Sequence, residues 1–174
     1  MVLASVRPHY TAPILVLGLG NPESGDDGLG PVLLQELAKQ YRYTGGFIEF
    51  VNGGTKGLAL LDAMAGRQAV VVLDAVSTGV CPGTISVLEG SDVLRYATSH
   101  PASDLEGNAG ELLATAAFLG DLPSFCYIVG VQPANLSSGS ALSKDVQKAL
   151  KPALTKAQSV VDELLVELSE PVQA

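Results

Sequence analysis

Three stretches of the chain are almost unbroken runs of apolar residues: PILVLGLG at 13–20, QAVVVLDAV at 68–76 and FCYIVGVQP at 125–133. Rich in Val, Ile and Leu and free of polar alternation, they read as strands buried on both faces of a parallel sheet. GFIEFVN at 46–52 reads as a further strand. Helical spacing fills the intervals. In GPVLLQELAKQYR, Val32, Leu33, Leu37 and Tyr41 recur on one face, and Pro31 is tolerated in a first turn. TKGLALLDAMAG at 55–66 predicts a helix leading back to the strand that ends at Asp74, and GELLATAAFLG at 110–120 predicts another, closed by Gly120. Strand and helix alternate, which favours an open α/β sheet.

The pattern changes after Asp74. The turn around Cys81, Pro82 and Gly83 leads into alternating Thr84, Ile85, Ser86 and Val87, the signature of a short antiparallel edge strand. SDVLRYATSHPASDLEGNAG at 91–110 lacks sustained periodicity and reads as a surface segment, of a length that tends to be either functional or disordered. At the C-terminal end, Leu154, Val161, Leu164, Leu165 and Leu168 form an apolar helical stripe. Pro152 removes a backbone donor and predicts a break or a fresh start there. The organisation expected is an N-terminal tail at 1–12, one α/β domain at 13–168 and a short tail at 169–174.

In an open parallel sheet, ligands collect at the carboxyl ends of the strands. Three polar groups fall there: GNPESGDDG after the first strand, with Glu23, Asp26 and Asp27; Asn52 to Thr55 after the second; and Asp74 at the end of the third. A carboxylate closing a fully apolar strand needs something to neutralise it. It can also cap a helix or accept from loop amides, and Asp26 and Asp27 both precede a helix. The two histidines are His9, in a Pro-flanked tail, and His100, in the irregular segment. Two carboxylates and one imidazole at a cleft would make a three-ligand site with open positions, suited to a divalent ion such as nickel or zinc.

Charge and composition narrow the alternatives. The 174 residues carry a formal charge of −8 and no Lys/Arg cluster, which argues against a nucleic-acid partner. The apolar runs are too short to span a bilayer and the N-terminus has no signal-peptide core, so the expected location is the cytoplasm, with no membrane partner. GLGNPESG has the wrong glycine spacing for a dinucleotide and would set three acids beside a pyrophosphate. A Walker loop, a nucleophile elbow and an HExxH helix are all missing. Cys81 and Cys126 have no CxxC spacing, and Cys126 sits inside an apolar strand, so it reads as core.

These motifs, taken in order, resemble the nickel-iron hydrogenase maturation endopeptidases. ILVLGLGNPESGDDGLGP is similar to that family's opening strand and acidic loop, NGGTKGLALLDAM to its Asp-Gly-Gly-Thr segment, VVVLDAVSTGVCPGTISVL to its third strand and edge strand, and IVGVQPANLSSGSALSKDVQKALKPAL to its last strand and terminal helix. The resemblance runs from about Ile14 to Leu165. It implies a three-layer α-β-α fold: a twisted, mostly parallel five-stranded sheet with one antiparallel edge strand and helices on both faces. It also implies an activity, removal of the C-terminal extension from a hydrogenase large-subunit precursor after nickel insertion. Carried over by motif, Asp27, Asp74 and His100 would be the metal-binding and catalytic set. Nickel would arrive with the substrate, with zinc or another divalent ion as a stand-in in vitro. Two departures stand out: Asn52 replaces the family's usual Asp, and DLEGNAG places His100 further from the following helix, so that its loop would have to fold back. No Ser, Cys or Lys nucleophile is set up, which leaves water as the attacker. Two other readings share parts of the pattern. Peptidyl-tRNA hydrolases have a similar GLGNP but also a histidine shortly after it, which this chain lacks, and a non-catalytic nickel chaperone could use the same three ligands.

Overall fold

The structure, a computed structural model, describes residues 12–99 and 108–169. Five strands form one sheet in the order β2-β1-β3-β5-β4. They are β1 (Ile14–Leu19), β2 (Ile48–Gly54), β3 (Ala69–Ala75), β4 (Ile85–Glu89) and β5 (Phe125–Val131). The first three and β5 run parallel; β4 pairs antiparallel with β5, Ile85 facing Val131 and Glu89 facing Tyr127. The edge strand expected from Thr84 to Val87 is therefore present, one residue further on.

Two apolar layers sandwich the sheet, and strand alternation decides which residue serves which. Ile14, Val16, Val71, Leu73 and Val129 point to the face covered by α1 (Leu29–Ala38) and α5 (Lys144–Ser169). Leu15, Leu17, Val70, Val72 and Ile128 point to the face covered by α2 (Leu61–Met64), α3 (Ser91–Ser99) and α4 (Ala109–Leu119). β1 and β3 are buried along their whole length, which is why their sequences show no polar alternation. α4 begins at Asn108, whose Oδ1 accepts the Glu111 N–H at 2.9 Å, and ends at Gly120, which adopts φ 76° as left-handed helix closures require. No described helix is long and apolar enough to cross a membrane.

Three local expectations are corrected. Residues 55–66 form a single 3-10 turn (Gly57–Leu60) followed by the one-turn α2 instead of one continuous helix. The first half of the segment at 91–110 is the helix α3, which needs only a narrow stripe because just Val93 and Ala97 are fully buried. Pro152 does not interrupt α5: the helix runs unbroken for 26 residues. A proline inside a helix costs about 3 kcal/mol, but Val146, Ala149, Ala153, Ala157, Val160, Val161 and Leu164 on either side of it all bury in one core, and that packing outweighs the loss.

The layers approach closely where β1 meets α1. A Cβ added to Gly30 would fall 2.0 Å from the Leu19 carbonyl oxygen and 2.4 Å from that of Leu73. Neither backbone can retreat without opening the sheet. Gly30→Ala is thus expected to cost about 3 kcal/mol or more, read as a lower denaturant midpoint; a change within 0.5 kcal/mol, roughly the scatter of neutral surface substitutions, would contradict this packing.

Candidate active site

β2 lies on one side of β1 and β3 on the other, so the carboxyl ends of β1 and β3 flank the point where the sheet's winding reverses. Such crevices are where open α/β sheets bind ligands. Two of the three residues singled out by sequence come to this end of the molecule.

Asp27 sits in the 3-10 turn Gly25–Gly28 that joins β1 to α1. The chain leaves β1 through Gly20, whose φ of 115° suits glycine, and a side chain there would collide with the Asp27 carbonyl oxygen at 1.9 Å. This tight path folds the loop back so that Asn21 N–H donates to Asp27 Oδ2 at 2.7 Å. The side chain is 5% exposed. Burial raises the Asp27 carboxyl above the usual range, with the Asn21 N–H pulling the other way.

Asp74, near the end of β3, follows Val70 and Val72 on the face toward α4. Its Oδ2 accepts the N–H of Ala109, the first residue of α4, at 3.2 Å. The role of acceptor for a helix-terminal amide is therefore real. It does not satisfy a charge, however: burial pushes the Asp74 carboxyl up to about 7, N–H donation from Ala109 and Ala75 lowers it, and the nearby charge of Asp27 raises it further. Ion pairs among the described residues lie elsewhere, at Lys39–Glu36, Arg67–Glu49 and Arg95–Asp92. Two buried acids, Asp27 raising the proton affinity of Asp74, with no basic side chain paired to either among the described residues, make a locus of negative charge suited to a cation.

Asp26 does different work from its neighbour. It is fully buried, and its two oxygens accept three backbone N–H groups, those of Ala134 (2.7 Å), Asn135 (2.9 Å) and Ser143 (2.6 Å). Burial would raise its carboxyl, but these donors outweigh it and hold the group below the usual range. Asp26 is thus the ionised staple between the acidic loop and residues 134–143, and neither solvated nor a cap for its own helix. Glu23 is exposed. Asn52 turns its Oδ1 to the N–H of Gly54 at 3.1 Å, shaping the end of β2. Cys126 is buried, and burial alone pushes its thiol up to about 12, in keeping with a core role.

His100 and His9 lie outside the described residues. Among those described, no three His, Cys, Asp or Glu side chains come together as a metal-binding group. Asp27 and Asp74 are the members of the expected set whose positions are described. Sequence reasoning missed Tyr96: α3 places its half-buried ring where burial, and then the charge of Asp74, push the phenol up to about 12. The signal was available in the Val93, Tyr96, Ala97 spacing, but Pro101 and the polar residues after it obscured the short helix.

Fold and crevice together define a class: a three-layer α/β protein whose winding-reversal point carries buried acids in place of a phosphate-binding loop. The chain belongs to the hydrogenase maturation protease family, whose model matches residues 31–160. It is 35% identical over 151 residues to the hydrogenase expression/formation protein HupM of Azotobacter chroococcum mcd 1, covering 86% of this chain and 72% of that one. It is 32% identical over 155 residues to the hydrogenase 2 maturation protease of Escherichia coli K12, covering 88% and 93%. The structure superposes on the E. coli hydrogenase maturating endopeptidase HybD with a TM-score of 0.73 and 28% identity, covering 86% of this chain and 92% of that one. Membership separates this chain from the peptidyl-tRNA hydrolases that share its GLGNP.

Proposed function

We propose that this protease removes the C-terminal extension of a nickel-iron hydrogenase large-subunit precursor once nickel has been inserted, and that it recognises the nickel itself. The observation that carries the reading is the pair of buried acids, Asp27 and Asp74, at the crevice between β1 and β3. Two carboxylate oxygens and the imidazole of His100 would offer a nickel ion part of its coordination shell. The precursor would supply the rest. Binding is then tight only when the metal arrives already held by the substrate, and the gain is positional: a metal-marked chain is oriented with its scissile bond at the crevice. Zinc or a similar ion could occupy the same donors in vitro.

The attacking group in this reading is water. It adds to the scissile carbonyl carbon, the C–N bond breaks, the water's oxygen stays in the new carboxylate, and both of the water's protons end on the released nitrogen, which leaves as an ammonium group. Family membership supports proteolysis, and the chemistry of the donor set supports the choice of a cation as signal.

The test is incubation of the purified protein with nickel-loaded and nickel-free precursor, followed by mass spectrometry. Loss of a C-terminal peptide from the loaded form alone is the expected result; binding without mass loss would favour a chaperone, and equal cleavage of both forms would remove nickel from the recognition step. Asp27→Ala and His100→Ala should each fold and fail to process the loaded precursor. Normal processing by His100→Ala would discard that residue from the set.

A further inference from the structure

A second surface feature adjoins the crevice. Thr78, Leu88, Asp92, Arg95, Tyr96 and Ser99 line a groove of about 370 Å3 between β4 and α3, within the roughly 300–1,000 Å3 of ligand clefts. It neighbours the candidate active site through Tyr96 and follows it along the chain at Thr78. Tyr96 lines the groove and feels the charge of Asp74. Thr78 lies four residues beyond Asp74, where its N–H donates to Gln132 Oε1 at 2.8 Å.

The strand bordering the groove has an unused edge. Gln132 N–H donates to the Thr84 carbonyl at 2.9 Å and Gly90 N–H to the Cys126 carbonyl at 3.1 Å. In the β4–β5 register these two pairs bracket Ser86–Gly130 and Leu88–Ile128. Hydrogen-bonded pairs alternate along an antiparallel ladder, so Ser86 and Leu88 bond inward to β5, and the N–H and C=O of Ile85, Val87 and Glu89 point to the outer edge. β4 is the last strand of the sheet, and no backbone bond to those outward groups is made among the described residues. Val87 is 41% exposed.

We propose that an extended stretch of the precursor adjoining its scissile bond adds to β4 as a sixth strand and lays a neutral, apolar side chain into the groove. This inference rests on the proteolytic reading above and specifies how that substrate is held. Backbone pairing to Val87 and Glu89 gives affinity independent of sequence, and the groove gives selection, as in other complexes where a peptide extends a sheet. Leu88 and the Tyr96 ring offer apolar contact. On the rim, Arg95 Nη1 already pairs with Asp92 Oδ1 at 3.1 Å, so the two opposite charges call for no charged partner. The occupant is therefore an uncharged peptide segment and not a basic or acidic one.

Val87→Pro removes one outward N–H without touching the bonds to β5, a position where an edge strand tolerates proline. Processing of the loaded precursor by this variant should show KM raised roughly five- to tenfold, the loss of about one hydrogen bond, with kcat within about twofold. Asp92→Lys, on the exposed rim, should weaken cleavage of the natural precursor less than cleavage of one carrying a lysine or arginine beside its cleavage point. A photo-crosslinking residue placed at Arg95 should join the precursor segment next to its cleavage site, and this readout does not depend on the proline variant folding. Unchanged KM in a folded Val87→Pro protein, or crosslinks only to distant parts of the precursor, would overturn the proposal. Failure of the unaltered protein to cleave any precursor would overturn the proteolytic reading instead.

Discussion

Asp74→Asn should abolish precursor processing, by more than about a hundredfold, and at the same time make the protein more stable above pH 7. The two effects have one cause. Burial lifts the Asp74 carboxyl from its ordinary 3.8 to about 7. Between about pH 4 and pH 7 the unfolded chain has lost this proton while the folded chain keeps it, so stability from this group is greatest below about pH 4 and falls as pH rises toward 7. Asparagine has no proton to lose and can still accept from Ala109 N–H. The variant should match the parent near pH 4 and exceed it by up to about 4 kcal/mol above pH 7, because each tenfold rise in proton affinity on folding corresponds to about 1.4 kcal/mol. Urea midpoints of both proteins measured from pH 4 to 8 check this; parallel profiles would show that Asp74 is not buried as described. If the two carboxylates hold the cation proposed above, processing should also weaken as pH falls below about 7, because protons compete with that cation for them.

Asp26→Ala should do the reverse, with little chemistry lost directly and much stability. It removes the acceptor of three backbone N–H groups contributed by Ala134, Asn135 and Ser143 and leaves them without partners. A loss of about 3–5 kcal/mol is expected, comparable to breaking a buried charged network, with a melting temperature lower by roughly 10 °C. The pH dependence has the opposite sign to that of Asp74. The Asp26 carboxyl is held below its ordinary value, so its stabilisation is present above about pH 4 and disappears as pH falls through its lowered folded value. Thermal melts of Asp26→Ala and Asp26→Asn test this, asparagine losing less because one oxygen remains. A melting temperature unchanged in both would contradict the network.

These two neighbours show what could be read from the chain and what could not. The strands were legible because burial on both faces leaves no polar alternation in β1, β3 and β5. The acid at the end of β3 was legible for the same reason, since a carboxylate in such a run stands out. The choice of Asp27 over Asp26 as the site residue came from the family's motif. Spacing alone could not separate them, because their opposite roles are decided by Ala134, Asn135 and Ser143, more than a hundred residues away in sequence. Pro152 misled for a related reason. Local preference argued for a break, and burial along both halves of α5 overrode it. Tyr96 and the groove beside it depend on α3 crossing beside β4, a tertiary arrangement with no mark in the sequence of α3 itself.

The staple at Asp26 also sets an order of events for a newly made chain. Its bond to Ser143 spans 117 residues, so the turn that carries Asp27 is translated long before the amide that pins its neighbour. At ribosomal rates of about 5–20 residues per second, that interval is of the order of ten seconds. Until it has passed, Asp26 lacks the amides of Ala134, Asn135 and Ser143, and on an incomplete polypeptide the acidic loop remains untethered from the far half of the fold.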